Sequence, residues 1–72
     1  MPRTQPSKTE RKLEGIRLKN LRSRLGMTVR EFGREFNVGF SSISQWENGD
    51  HAIPGPVLKL IEIYEEKLIT RR

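Results

Sequence analysis

Apolar residues recur at helical spacing in several segments of this chain, and most clearly between residues 28 and 49. Phe32 and Phe36 lie four residues apart in this segment, and Ile43 and Trp46 lie three apart. Either spacing places both side chains on one face of a helix. The pattern therefore predicts two short amphipathic helices, over residues 29–36 and 40–48.

Start and stop signals delimit these two short helices. Thr28 followed by Glu31 is the pattern of a capping box at the start of a helix. Asn37 falls between the helices, and asparagine tolerates the left-handed conformation that a tight corner needs. Gly33 lies where a side chain would block a crossing helix, and Gly49 is typical of a helix stop. The segment is thus predicted to form a helix-turn-helix.

A longer helix is predicted before this segment, over about residues 10–25. Thr9 is its expected cap and Gly26 its expected stop. Because Gly15 weakens a helix by about 1 kcal/mol relative to alanine, the well-formed part is expected to begin near Ile16. Its apolar stripe is predicted to consist of Leu13, Ile16, Leu18, Leu21 and Leu25.

A fourth helix is predicted over residues 56–69, with Pro56 at its first position. The predicted core stripe is Val57, Leu60, Ile61, Tyr64 and Leu68. Three apolar residues are left on other faces, and a helix that is apolar on more than one side needs a second surface to cover it. Since little chain follows this helix, we expect Leu58, Ile63 and Ile69 to form a dimer interface.

Length and composition place narrow limits on the class of protein. The chain has 72 residues, no cysteine and one histidine, which predicts one small domain without disulfides or a metal site. No apolar run reaches membrane-spanning length, and the first residues lack the apolar segment of a signal peptide. A cytoplasmic protein without a membrane, cofactor or small-molecule substrate is therefore expected.

Positive charge is concentrated in the first third of the chain. Residues 1–27 contain eight Lys or Arg and two Glu, a net charge of +6, whereas the whole chain carries +5. Such an imbalance favours a polyanionic partner, most often nucleic acid. Apart from the initiator methionine and two prolines, residues 1–9 are polar. They are expected to form a flexible basic arm, ahead of a folded domain over residues 10–70.

The central segment resembles the helix-turn-helix of the phage-repressor family, also called the Cro or XRE family. The residues that match the family pattern in order are Gly33, Phe36, Asn37, Val38, Ile43, Trp46, Glu47, Asn48 and Gly49. Further matches precede them at Leu18, Lys19, Leu21, Arg22, Gly26, Met27 and Thr28. The resemblance covers roughly residues 16–68. It implies an all-α, lambda-repressor-like domain of four helices, or of five as in many family members.

The resemblance also implies a set of functional residues. In such motifs the N-terminal half of the second short helix contacts base edges in the major groove. The implied base contacts are Phe40, Ser41, Ser44 and Gln45. The implied phosphate contacts are Thr28, Val29, Arg30, Arg34 and Asn48, although Arg30 and Arg34 could instead pair with Glu31 or Glu35. An ion pair between Arg22 and Glu47 is also implied.

These features predict a sequence-specific, double-stranded DNA-binding regulator, acting as a repressor and a homodimer on an inverted repeat. An antitoxin or a phage or plasmid autoregulator, whose last helix binds a partner such as a toxin, is an alternative. A pure protein-interaction module is another. An enzyme is not expected, because nothing would orient the neighbouring serines with Asp50 and His51 as a hydrolytic triad.

Overall fold

The computed structural model describes residues 6–70, except for the side chain of Thr70, and this range contains four α-helices. They are α1 (Lys8–Leu25), α2 (Val29–Phe36), α3 (Phe40–Asn48) and α4 (Gly55–Thr70). The described residues contain no strand, so the all-α prediction is confirmed. The bounds of α2 and α3 are the predicted ones, and α4 begins one residue before its predicted start.

The start of α1 differs from the prediction. Ser7, rather than Thr9, is the cap: its hydroxyl accepts a hydrogen bond from the Glu10 N–H at 3.2 Å. The Ser7 N–H donates in turn to the Glu10 carboxylate at 2.9 Å, which completes a capping box. Lys8 and Thr9 therefore belong to α1 and not to an arm. Residues 1–5 of the predicted arm lie outside the described residues.

Gly15 marks the place where α1 crosses α3. A Cβ atom at this position would meet the carbonyl oxygen of Trp46 and would lie 2.6 Å from the carbonyl oxygen of Glu47. Both obstacles are backbone atoms of α3, which cannot rotate away as a side chain could. The helix is continuous through Gly15, so the prediction that its well-formed part begins near Ile16 was wrong. Glycine is needed here because the two backbones approach closely.

The predicted apolar stripe of α1 is only partly correct. Leu18 and Leu21 are fully buried, but Leu13 and Ile16 are 60% and 53% exposed. The face of α1 that meets α3 includes Gly15 and Leu18, which are three residues apart. Leu13 and Ile16 are one or two residues away from Gly15, and at about 100° per residue they point elsewhere.

The hydrophobic core combines all four helices with one loop residue. Its buried members are Leu18, Leu21, Phe32, Phe36, Ile43, Trp46, Ile53, Val57 and Ile61. Ile53 lies between α3 and α4 and is 2% exposed, so this connection is anchored to the core. The core thus holds α3 on one side, and leaves its opposite side for other contacts.

Two assignments in α4 are exchanged relative to the prediction. Leu58 is half-buried and packs against the core, whereas Leu60 is 36% exposed. The core-facing side of α4 includes Ile61, which is fully buried. Leu58 is three residues from Ile61 and so about 60° away around the helix, while Leu60 is about 100° away. Leu58 therefore packs against the edge of the core and is not a freely exposed interface residue as predicted.

Candidate nucleic-acid interface

The corner between α2 and α3 is formed by backbone hydrogen bonds. Asn37 adopts the left-handed conformation with φ 58° and ψ 42°, and its N–H donates to the Arg34 carbonyl at 3.2 Å. The Val38 N–H donates to the Gly33 carbonyl at 2.8 Å. A Cβ atom at Gly33 would lie 2.8 Å from the Val38 carbonyl oxygen. This close approach sets the position of α3 relative to α2.

The N-terminus of α2 is an exposed, capped helix end. The Thr28 hydroxyl accepts from the Glu31 N–H at 3.1 Å, and the Thr28 N–H donates to the Glu31 carboxylate at 2.8 Å. The hydrogen bond from the Thr28 backbone is the largest of the effects that lower the pKa of Glu31, and it does so because it stabilises the ionised carboxylate. The Val29 side chain packs against the core, so only its backbone is available to a phosphate.

The side chains of α3 divide between the core and the surface. Ile43 and Trp46 are 0% and 7% exposed. Of the four residues implied as base contacts, Phe40, Ser41 and Gln45 are exposed, whereas Ser44 is only partly so. Asn48, at the last position of α3, is exposed as well. The surface of α3 thus offers one aromatic ring, hydroxyl groups and one amide.

Arg22 and Glu47 form the ion pair that the family resemblance implies. Arg22 donates from Nε to Oε2 of Glu47 at 2.7 Å and from Nη2 to Oε1 at 3.1 Å. Its Nη1 also donates to the Met27 carbonyl at 3.0 Å. The hydrogen bond and the charge of Glu47 raise the pKa of Arg22 despite partial burial. This cluster connects α1, the residues preceding α2, and α3.

A second contact holds the C-terminal end of α3. Arg11 donates from Nε to the carbonyl oxygen of Gly49 at 3.2 Å. Gly49 ends α3 in the left-handed conformation, with φ 79°. The N-terminal end is held differently, because Gly39 provides no side-chain cap. The C-terminal end of α3 is thus tied to α1, while its N-terminal end is placed by the corner with α2.

Arg30 and Arg34 both lie exposed on the surface of α2. Neither forms an ion pair in the part of the chain that the structure describes, although the charge of Arg34 is one of the smaller effects that lower the pKa of Glu31. Glu35 instead accepts a hydrogen bond from the Tyr64 hydroxyl at 2.7 Å. The guanidinium carbon of Arg30 lies 4.2 Å from the centroid of the Phe40 ring.

A shallow depression of about 260 Å³ lies at the junction of α2 and α3. It is lined by Arg30, Arg34, Val38 and Phe40. Two of the four lining residues are cations and none is acidic. The sequence predicted both Arg30 and Phe40 at the surface, but it gave no prediction about a contact between them. Their contact depends on the angle between two helices, which side-chain spacing alone does not give.

Exposed apolar side chains of α4 lie on two different flanks. Leu60, Ile63 and Ile69 are 36%, 38% and 75% exposed. At about 100° per residue, Ile63 is about 60° from Leu60 but about 120° from Ile69. Leu60 and Ile63 can therefore share one contact surface, which does not extend to Ile69. Leu60 was missed as a surface residue because the spacing assigned it to the core stripe.

Residues 6–70 contain neither a candidate metal site nor a candidate membrane-spanning helix. No group of three or more His, Asp or Glu side chains in this range is arranged to hold a metal ion. None of the four helices combines the length and apolar character that a membrane crossing requires.

Comparison with known proteins gives one match. A family model described as Helix-turn-helix matches residues 18–64, which is more than half of the 72 residues. No significant match was found among curated proteins or solved structures. The match covers the second half of α1, both short helices and most of α4, the elements that meet in the core. The chain belongs to the XRE-type helix-turn-helix family of DNA-binding transcriptional regulators.

Proposed function

We propose that this protein binds a specific double-stranded DNA sequence as a homodimeric repressor. The observation that carries the proposal is the division of α3, whose Ile43 and Trp46 are buried while Phe40, Ser41 and Gln45 are exposed. A helix held in this way can enter the major groove with its polar side, as in other helix-turn-helix proteins. Gln45 can form two hydrogen bonds to adenine, and Ser41 can donate or accept.

The phosphate contacts are proposed to lie on both sides of this helix. The exposed N-terminus of α2 offers the backbone N–H of Val29 and a favourable dipole to one phosphate, whereas the Thr28 N–H is bonded to Glu31 within the capping box. Arg34 adds a positive charge on the same helix, and Asn48 offers an amide at the end of α3. Contacts of this kind fix the position on DNA, while the base contacts select the sequence.

A homodimer is proposed because one recognition helix contacts few base pairs. Leu60 and Ile63 provide an exposed apolar surface on α4. A two-fold axis through this surface would pair two recognition helices. They would then bind an inverted repeat whose half-sites lie about one helical turn, or roughly 34 Å, apart.

A partner-binding role, as in an antitoxin, is the second candidate. It is favoured by a different observation, the exposure of Leu13 and Ile16 on α1. They line a groove of about 350 Å³ together with Arg17, Asn20, Leu21, Arg24 and Glu65. This role is compatible with DNA binding, since the groove involves neither α2 nor α3.

Selection of bound duplexes from a random DNA pool, followed by a mobility shift with excess competitor DNA, tests the proposal. We expect enrichment of an inverted repeat that survives competition. Binding that competitor DNA removes equally from every sequence would contradict sequence-specific recognition. Binding to no duplex at all would favour the protein-interaction role.

A further inference from the structure

The side chains of Arg30 on α2 and Phe40 on α3 contact each other. Arg30 is the second residue of α2, and Phe40 is the first residue of α3. The Arg30 guanidinium carbon lies 4.2 Å from the centroid of the Phe40 ring, a distance typical of a cation–π contact. Phe40 nevertheless remains 45% exposed, so one part of the ring is free.

This contact holds Arg30 in place without using its hydrogen-bond donors. A guanidinium carries five N–H donors in a planar fork. Within residues 6–70, the Arg30 side chain has neither an ion pair nor a hydrogen bond. An arginine that is held by an aromatic ring has lost part of its rotamer freedom before DNA arrives. Its donors are thus placed beside the N-terminus of α3, which is where base edges are contacted in this motif.

The chemistry of the two side chains limits what they can recognise. The Phe40 ring has no donor or acceptor, and the apolar group that the major groove presents is the C5-methyl of thymine. The Arg30 fork matches O6 and N7 of guanine, which accept two hydrogen bonds from one guanidinium. The same fork can also bind a phosphate bidentately, so the base contact is favoured by the position of Arg30 against the Phe40 ring rather than by the fork alone.

We propose that Arg30 and Phe40 together recognise a 5-methylpyrimidine next to a guanine in the major groove. Phe40 contacts the methyl group, and Arg30 donates two hydrogen bonds to the neighbouring guanine. This inference rests on the proposed function, and it moves Arg30 from the phosphate contacts to the base contacts. Arg34 lines the same depression and keeps the phosphate role, since within residues 6–70 no aromatic ring packs against its guanidinium.

Matched lysine variants separate base recognition from phosphate contact. Arg30→Lys keeps the charge but loses the planar fork, and Arg34→Lys is its control on the same helix. On the duplex selected by the wild-type protein, we expect Arg30→Lys to bind about 5- to 100-fold more weakly. Its affinity for random DNA and its salt dependence should stay unchanged, because the charge is kept. Any loss in Arg34→Lys should instead be equal on the selected duplex and on random DNA, as expected for a phosphate contact. Wild-type affinity of Arg30→Lys for the selected duplex would overturn the inference.

Base analogues test the methyl contact separately. Replacing the thymine of the selected step by uracil removes only the methyl group. Replacing thymine by 5-methylcytosine, with guanine opposite, keeps that group. We expect the wild-type protein to bind the uracil duplex about 3- to 10-fold more weakly than the thymine duplex. By the same contact, it should bind the 5-methylcytosine duplex more tightly than the same duplex with unmethylated cytosine. An equal affinity for thymine and uracil duplexes would overturn the inference.

The dependence of Arg30 on Phe40 is tested by Phe40→Ala and Phe40→Tyr. Both should fold, because Phe40 is 45% exposed and does not belong to the buried core. Phe40→Ala should bind thymine and uracil duplexes with equal affinity, and should also lose part of the preference for guanine at the neighbouring position. Phe40→Tyr keeps an aromatic ring and should retain this preference for guanine. An undiminished guanine preference in Phe40→Ala would show that the two residues act separately.

The test also distinguishes this inference from the proposed function. A selected duplex that lacks a thymine–guanine step would overturn the inference and leave the proposed function standing. Failure of the wild-type protein to select any duplex would overturn both.

Discussion

The Arg22 guanidinium and the Glu47 carboxylate meet through two hydrogen bonds in a site that is largely closed to solvent. Their side chains are 16% and 8% exposed. A second ion pair of α1 joins Arg17 to Glu65 on α4, and its side chains are 42% and 30% exposed. The two pairs have similar chemistry and differ mainly in burial, so they form a natural comparison.

The first prediction uses this comparison. Arg22→Ala should lower the free energy of unfolding by about 3 kcal/mol, because it leaves the Glu47 carboxylate partly buried without its partner. Arg17→Ala should cost less than about 1 kcal/mol, since water screens an exposed pair. Urea denaturation of both variants gives the two values. Equal losses would mean that the Arg22 pair contributes no more than a surface contact.

The second prediction concerns Gly15. Gly15→Ala should destabilise the fold by about 1–3 kcal/mol, although alanine favours helix formation by about 1 kcal/mol over glycine. The added methyl group would meet backbone oxygens of α3. Gly55→Ala, at the start of α4, is the control, since nothing lies near its Cβ position. A thermal melt of Gly15→Ala at or above the wild-type temperature would contradict the close crossing of α1 and α3.

A third prediction follows from the capping box of α2. The lowered pKa of Glu31 means that its stabilising contribution is present above the ordinary glutamate pKa. The contribution is lost as the pH falls through the lowered pKa, in a window below about pH 4.3. Glu31→Gln should therefore be less stable than the wild type near neutral pH, and this difference should shrink toward pH 3.

Thermal melts across this pH range test the capping-box prediction. Thr28→Ala is the matched background, because it removes the hydroxyl that accepts a hydrogen bond from the Glu31 N–H and so breaks one of the two bonds of the capping box. Adding Glu31→Gln to Thr28→Ala should cost less than Glu31→Gln does alone. A stability difference that stays constant from pH 7 to pH 3 would argue against the assignment.

The fourth prediction assigns a base contact to Gln45. Gln45→Ala should cost roughly 1–3 kcal/mol on the selected duplex and relax the sequence preference at one position. The side chain is exposed, so the variant should fold normally. Repeating the selection with the variant measures the change. A uniform loss on specific and random DNA would instead indicate a phosphate contact.

The fifth prediction concerns the surface formed by Leu60 and Ile63. Ile63→Glu should weaken binding to the full inverted repeat far more than binding to a single half-site, because it places a charge in the proposed dimer interface. Ile69→Glu is the control, since Ile69 is exposed on a different flank of α4. Native mass spectrometry of the DNA complex gives the number of subunits. One subunit bound with full affinity would exclude this dimer.

Local signals in the sequence predicted the central part of the fold well. The capping box at Thr28, the left-handed Asn37 and the stop at Gly49 act within a few residues, so the bounds of α2 and α3 follow from them. The start of α1 was missed although Ser7 and Glu10 have the spacing of a capping box.

Features that depend on the arrangement of helices were not predictable from spacing. The role of Gly15 requires the backbone of α3, which is about thirty residues further along the chain. Whether Leu58 or Leu60 faces the core depends on how α4 is rotated about its own axis. The spacing of apolar residues in the sequence does not determine this rotation. The contact between Arg30 and Phe40 likewise depends on the angle at the α2–α3 corner.

The division of α3 into a buried and an exposed side also bears on how the protein can change over evolutionary time. Ile43 and Trp46 carry the packing of this helix, whereas Ser41 and Gln45 project from the fold. Substitutions at exposed positions usually alter stability by less than about 0.5 kcal/mol. Mutation can therefore alter the ligand preference of the exposed side while the fold persists, so new specificities are accessible to descendants of this chain without passing through unfolded intermediates.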